Sequence, residues 1–158
     1  MTGDYTRRSR FAKSLIDWLI SDETLLSLTE HSAEDAHVYV RTSNEAAVLP
    51  SLICEIQHSG AMLNDSDAGP FVSTVLVESF AKDPEAASNI MGAVEQFCME
   101  DETTRADAAF SDDDGISTVS LMFASLPEDG VPTSDEDSGV YMSAGQISVI
   151  WKDTYTPA

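Results

Sequence analysis

The sequence predicts an α+β domain, an antiparallel-rich sheet of about five strands with two main helices packed on one face. Three observations predict it. The stretch 71–97, FVSTVLVESFAKDPEAASNIMGAVEQF, reads as a strand running straight into a helix. The segments 116–124 and 147–151 alternate apolar and polar residues with the period of two that strands require. In order, the segments run helix, three strands, helix, two strands, with no internal repeat, and that order fits helices gathered on one side of an antiparallel sheet.

Residues 9–20 form the first predicted helix. Phe11, Leu15, Trp18 and Leu19 fall at i, i+4, i+7 and i+8, and Ile16 and Ile20 widen the stripe. Ser21 or Asp22 can cap a second, short helical stretch whose Leu25, Leu26 and Leu28 add to the core. Val38-Tyr39-Val40 is a short strand ending at Arg41. Leu49-Pro50 then leads into a half-buried strand in which Leu52, Cys54 and Ile56 alternate with Ile53, Glu55 and Gln57, with Pro50 placed before any ladder donor is needed. Residues 60–70 carry the turn back.

In the 71–97 stretch, Phe71, Val72, Val75, Leu76, Val77 and Phe80 supply the β-branched and aromatic residues of an interior strand. The switch to helix is chemical. Asp83 can accept from the free N–H groups of the first turn, Pro84 tolerates the first helical position, and Glu85 suits the positive helix end. Ala86, Ala87, Ile90, Met91, Val94, Phe97 and Cys98 then make one apolar stripe. Beyond an acidic loop, residues 116–124 place Val119, Leu121 and Phe123 on one expected face and Thr118, Ser120 and Met122 on the other. Residues 127–139, with five acids, two Pro and two Gly, read as a long hairpin loop before the closing strand through Trp151. The domain is expected over 9–153, between a flexible basic arm (1–8) and a short tail (154–158).

At 158 residues, 42% of them hydrophobic, the chain is long enough for one domain with a real core. Its charge is the unusual quantity: 28 Asp and Glu against 8 Lys and Arg, a formal net of −20. Nonspecific nucleic-acid binding rests on Lys and Arg neutralising phosphates, so it is disfavoured, and so is an anionic membrane surface. Half of the basic residues, Arg7, Arg8, Arg10 and Lys13, lie near the N-terminus; Arg41, Lys82, Arg105 and Lys152 are the rest. They read either as a solvated basic turn or as an arm for an acidic partner. Carboxylate-rich surfaces stay hydrated where the Debye length is only about 3 Å, near 1 M salt. The composition therefore supports the hypothesis of a high-salt source. Complete folding in salt-free buffer would count against it.

The usual chemical signatures fail one by one. The acidic turns beginning at Asp65, Asp112 and Asp135 resemble the start of an EF-hand loop, but position 12, which needs a bidentate Glu, is Leu76, Phe123 and Gln146. His31, His37 and His58 stand in no zinc-site spacing, and Cys54 and Cys98 read as small core residues, not a disulfide framework. No G-x-S-x-G or phosphate-cradling glycine loop is present, and nothing selects a catalytic pair among 28 carboxylates. The sequence predicts no enzyme, no metal and no cofactor. The apolar run after Arg7–Lys13 is broken by Asp17 and Asp22-Glu23, so neither a secretory signal nor a membrane span is read there. The expected setting is inside a cell or within a soluble particle.

Several phrases recur in a telling order. An amphipathic helix with a Leu25-Leu26 continuation comes first, then Val38-Tyr39-Val40-Arg41, then Leu49-Pro50-Ser51-Leu52-Ile53 opening a strand. A strand feeding a long helix follows, and the closing hairpin ends in Ile147-Ser148-Val149-Ile150-Trp151. From Phe11 to Trp151 this order resembles the tail-terminator, or tail-completion, proteins of long-tailed viruses. The resemblance implies a structural virion protein of the tail or neck, assembled in the host cytoplasm. Such proteins form a ring, commonly a hexamer, that caps the tail-tube protein, stops its growth and joins the head-tail connector proteins, with DNA passing through the centre. Six copies at −20 each would need salt screening, or interfaces kept clear of acids.

On that reading Arg7, Arg8, Arg10, Lys13 and Arg41 are candidate interface residues. Asp112, Asp113, Asp114, Glu128, Asp129, Asp135, Glu136 and Asp137 are candidates for acidic loops facing the lumen or the tube, where carboxylates would repel phosphates and let DNA slide. The long acidic loop and the extreme charge depart from the family pattern. Another head–tail connector or stopper is the nearest alternative. An acidic mimic of DNA is a more distant one, because the acids cluster in turns and the main helix carries only Glu85, Glu95 and Glu100.

Overall fold

A computed structural model describes residues 6–29, 37–40, 48–61, 70–99, 115–133 and 139–155. In chain order the elements are α1 (Arg7–Ile20), α2 (Glu23–Thr29), β1 (Val38–Val40), β2 (Ser51–Ala61), β3 (Phe71–Ala81), α3 (Pro84–Met99), β4 (Ile116–Ser125), β5 (Val131–Pro132) and β6 (Tyr141–Asp153). The strands make one sheet in the order β1-β2-β3-β6-β4, with β5 pairing on β6. β1 runs parallel to β2, and every other pairing is antiparallel. This is the expected α+β domain, with the expected short α2 and one short strand, β5, beyond the five strands of the sequence reading.

β3 and β6 form the spine, paired from Phe71 opposite Trp151 to Ala81 opposite Tyr141. Period-two alternation puts Phe71, Val75 and Val77 of β3 on the same face as Ile147, Val149 and Trp151 of β6, and all six are buried. The stripe of α3, Ile90, Met91, Val94 and Cys98, closes over that face, and α1 adds Phe11, Leu15, Trp18 and Leu19 to the same cluster. Burying each large aliphatic side chain contributes roughly 1.5–3 kcal/mol. Aromatic contacts fix how the helices seat: Phe11 stacks on Trp151 at 5.5 Å between centroids, and Trp18 on Phe97 at 4.7 Å.

Helix starts follow the expected chemistry. The Asp83 carboxylate accepts from the Ala86 N–H at 2.8 Å, and Asp22 accepts from the Leu25 N–H at 3.0 Å. Ser79, buried on β3, donates to the Ala87 carbonyl at 2.7 Å and pins the sheet to the first turn of α3. Trp151 donates its indole N–H to Ser73 Oγ at 3.0 Å, so its one polar atom is satisfied inside the core.

Four details differ from the sequence reading. α1 begins at Arg7, two residues earlier than expected. β2 runs on through Ala61, where a turn was expected from residue 60. In β4 the expected alternation holds only after residue 120. A register shift between Thr118 and Ser120 opposite β6 turns Val119 outward, 49% exposed, and buries Thr118. Lastly, the described start of the long loop expected at 127–139, residues 127–133, is laid along β6. Leu126 N–H bonds Ala144 O, Ala144 N–H bonds Glu128 O, Val131 and Pro132 pair with Met142 and Tyr141, and Thr133 N–H bonds Val140 O. Backbone groups there find partners despite the polar composition.

Candidate functional site

The N-terminal arginines meet an acid of their own chain. Asp153, at the last position of β6, points to the helix-covered side, where Arg7 Nε donates to it at 2.9 Å. Arg10 holds the same carboxylate with both terminal nitrogens, at 3.1 and 2.8 Å. The Tyr155 N–H adds a fourth bond at 3.0 Å. The guanidinium of Arg7 lies 4.4 Å from the centroid of Phe71 and that of Arg10 4.4 Å from that of Tyr155. The carboxylate side chain is only 6% exposed. Burial works to raise its pKa, but hydrogen bonds from Arg10, Arg7 and the Tyr155 backbone outweigh that and hold it below the ordinary carboxylate range.

The other candidates are dispersed. Arg8 is exposed on α1, and Lys13 pairs with Asp17 one turn on at 3.3 Å, a solvated contact. Glu128 and Asp129 are exposed beside β6, and Asp129 accepts from Ser143 Oγ at 3.0 Å. Arg41, Asp112, Asp113, Asp114, Asp135, Glu136 and Asp137 lie outside the described residues. Among the described residues, no three His, Cys, Asp or Glu side chains converge as a metal site. His37 Nδ1 lies 3.0 Å from Pro50 O, and Cys54 and Cys98 are buried free thiols. Burial, reinforced by the neighbouring Cys98, pushes the Cys54 thiol up to about 12, so it carries no thiolate near neutrality. No described helix is long and apolar enough to cross a membrane.

What the sheet presents instead is a face. The helices and the core cluster occupy one side, and the side chains of alternate parity point to the other. Register pairs set these into rows across the strands. Phe80 lies beside Met142, and the next row holds Tyr39, Ile53, Glu78 and Ala144. Glu55, Leu76, Gln146 and Ala124 make the third row, and Thr74, Ser148 and Met122 the fourth. Val72, Ile150 and Ser120 form the fifth, and Lys152 with Ser117 the last. Met122 stands 66% exposed on β4, at the edge of the sheet. Among the described side chains of these rows, Glu55, Glu78 and Lys152 are the charged ones, a thin share for a chain with 28 acids.

Sequence reasoning did not single out Asp153, whose partners are about as far away along the chain as they can be, nor this face. The signal for both was the dipeptide Lys152-Asp153 at a strand end, since alternation sends neighbouring charges to opposite sides.

Compared with known proteins, the chain matches no family model and no curated protein. Among solved structures it is similar to a chain described as "Virion of native gene transfer agent (GTA) particle", with a TM-score of 0.45 at 11% identity, covering 95% of this chain and 97% of that one.

Proposed function

We propose that this chain is a structural virion protein, a tail terminator whose copies close into a ring, a homohexamer, that caps the tail tube and joins it to the head. One observation carries the reading: apart from Arg41, outside the described residues, and Leu49-Pro50, just before β2, the phrases that carry the resemblance fall on elements of the folded unit. Val38–Val40 is β1, Leu52 and Ile53 open β2, β3 passes through Lys82 and Asp83 straight into α3, and β6 carries the closing Ile147–Trp151 phrase. They therefore act as a scaffold, and loops and edges are left to make contacts.

On this reading DNA passes through the ring without specific binding, past acidic loops that include Glu128 and Asp129 together with 112–114 and 135–137. Contacts between copies draw on Arg8 and Arg41, with Lys13 exchanging its solvated contact to Asp17, since Arg7 and Arg10 are engaged with the nearly buried Asp153. The test is assembly in 1 M KCl with purified tail tubes, followed by electron microscopy. Rings seated on tube ends that halt tube growth are expected. Rings that ignore tube ends would point to another connector, and tubes growing unchecked beside free single copies would refute the reading.

A further inference from the structure

We infer that Asp129-Gly130 is a site of isoaspartate formation, held closed by the hydroxyl of Ser143. The fold demands the second member of this pair. Gly130 sits at φ +63°, in the left-handed region that side chains of L-residues avoid. A Cβ there would also meet the Pro84 carbonyl oxygen at 3.1 Å and Pro84 Cβ at 3.2 Å, at the first residue of α3. With no Cβ to shield it, the nitrogen of Gly130 is sterically open to the aspartate before it. Asp-Gly is therefore the pair in which the side-chain carboxyl is most readily attacked by the next amide nitrogen. The site is a property of the single chain and does not depend on ring assembly.

Attack forms a bond between Gly130 N and Asp129 Cγ. The amide proton and the hydroxyl of the protonated carboxyl leave as water, and a succinimide ring closes. Water then reopens it. Cleavage between the nitrogen and Cγ returns aspartate, and cleavage at the former main-chain carbonyl leaves the chain running through the side chain as isoaspartate. The sum is an isomerisation that needs water alone. In the folded chain both reacting groups are bound to one atom. Ser143 Oγ accepts from the Gly130 N–H at 2.8 Å and donates to Asp129 Oδ1 at 3.0 Å. Ser143 is fully buried on β6 opposite Ser79, so the sheet fixes where its hydroxyl stands. The Ala144 N–H holds Glu128 O at 2.9 Å, just before the pair. The nitrogen cannot turn to Cγ, nor the carboxyl to the nitrogen, without leaving Ser143. Asp129 is exposed, so water reaches the carboxyl and the hydroxyl is what restrains it. Isomerisation would add one carbon to the main chain ahead of Val131 and pull Val131 and Pro132 out of register with Met142 and Tyr141.

The experiment is incubation of the full chain for weeks at neutral pH in 1 M KCl, beside a sample unfolded in guanidinium chloride. Trypsin then releases one peptide, 106–152, between the successive cleavage sites Arg105 and Lys152. It carries both Asp-Gly pairs of the chain, Asp114-Gly115 and Asp129-Gly130. Electron-transfer fragmentation tells the two linkages apart and reads each pair separately. Folded wild type should isomerise at Asp129 at least about fivefold more slowly than the unfolded chain. That ratio corresponds to about 1 kcal/mol, the low end for two hydrogen bonds. Ser143→Ala should recover most of the difference while circular dichroism stays unchanged. Ser143→Cys, which keeps the shape but bonds weakly, should fall between. Gly115 lies beside Tyr155 at the other end of β6, so the rate at Asp114 reports any general loosening and should not change. The proposal is overturned by equal rates at Asp129 in the folded and unfolded wild type. It is equally overturned by a folded Ser143→Ala that isomerises no faster than wild type, or by a rise of equal size at both pairs.

Discussion

Removing the charge of Asp153 tests the junction that holds α1 to the sheet. Asp153→Asn keeps the size of the side chain but leaves Arg7 and Arg10, which are 25% and 11% exposed, aimed at a neutral amide. The loss lies between two limits. Exposed ion pairs contribute about 0–1 kcal/mol, whereas removing one partner of a fully buried pair costs about 3–5 kcal/mol. A nearly buried acceptor with largely covered donors, one of them bidentate, belongs between them, at about 2–3 kcal/mol. Urea unfolding followed by tryptophan fluorescence measures it, because Trp151 packs against Phe11 and Phe71 close to the junction.

The pH dependence has a definite sign. Because the folded pKa of Asp153 is depressed, its contribution is complete above the unfolded value of about 3.9 and is lost as pH falls through the folded value. The difference between wild type and Asp153→Asn should thus be constant from pH 7 to about 5 and shrink below about 4. In 1 M KCl most of it should remain, as expected for a shielded contact. A difference below about 0.5 kcal/mol at pH 7, or one unchanged down to pH 2, would refute the assignment of α1 anchoring to this carboxylate.

Gly145 faces the core between Phe123 and Met91: an added Cβ would come within 2.5 Å of the Phe123 ring and 3.0 Å of Met91 Sδ. Gly145→Ala should therefore cost about 1–3 kcal/mol in a urea titration, and Phe123→Leu in the same chain should recover at least half. Ser79→Ala leaves the Ala87 carbonyl without its side-chain donor, and about 1 kcal/mol of destabilisation in the same titration is expected. With Cys54 at a pKa of about 12 and both thiols buried, a thiol-specific disulfide reagent at pH 8 should label neither cysteine in the folded protein and both in urea.

Which parts of this fold could be read in advance follows from how local their causes are. The start of α3 was legible to the residue because Asp83, Pro84 and Glu85 all act within the first turn, and the stripe Ile90–Met91–Val94–Cys98 is a property of the helix alone. β3 was legible as a strand, but not which face turns inward, because its apolar residues lie on both. The bulge in β4 was not. Val119 is a better core residue than Thr118, and only the register against β6 decides that Thr118 goes in. Nor was β5, whose two residues are a strand only because Met142 and Tyr141 lie opposite. The arginines of α1 were legible as scarce cations in need of an acid, but that acid stands 143 to 146 residues away.

The end of β6 shows why these non-local features depend on one another. Lys152 and Asp153 are neighbours, so the strand's alternation must send one to each side of the sheet. With Asp153 turned inward it meets two guanidiniums, and Lys152 is thereby placed on the outer face, at the end away from Glu78. A slip of one residue would aim the ammonium of Lys152 at Arg7 and Arg10 and turn Trp151 out of the core. Indole packing and ion pairing therefore select the same register. The sole described cation of the outer face owes its position to the helix on the opposite side. The α1 anchor and the seat of Trp151 are two consequences of one alternation, so a change that frees α1 should loosen both.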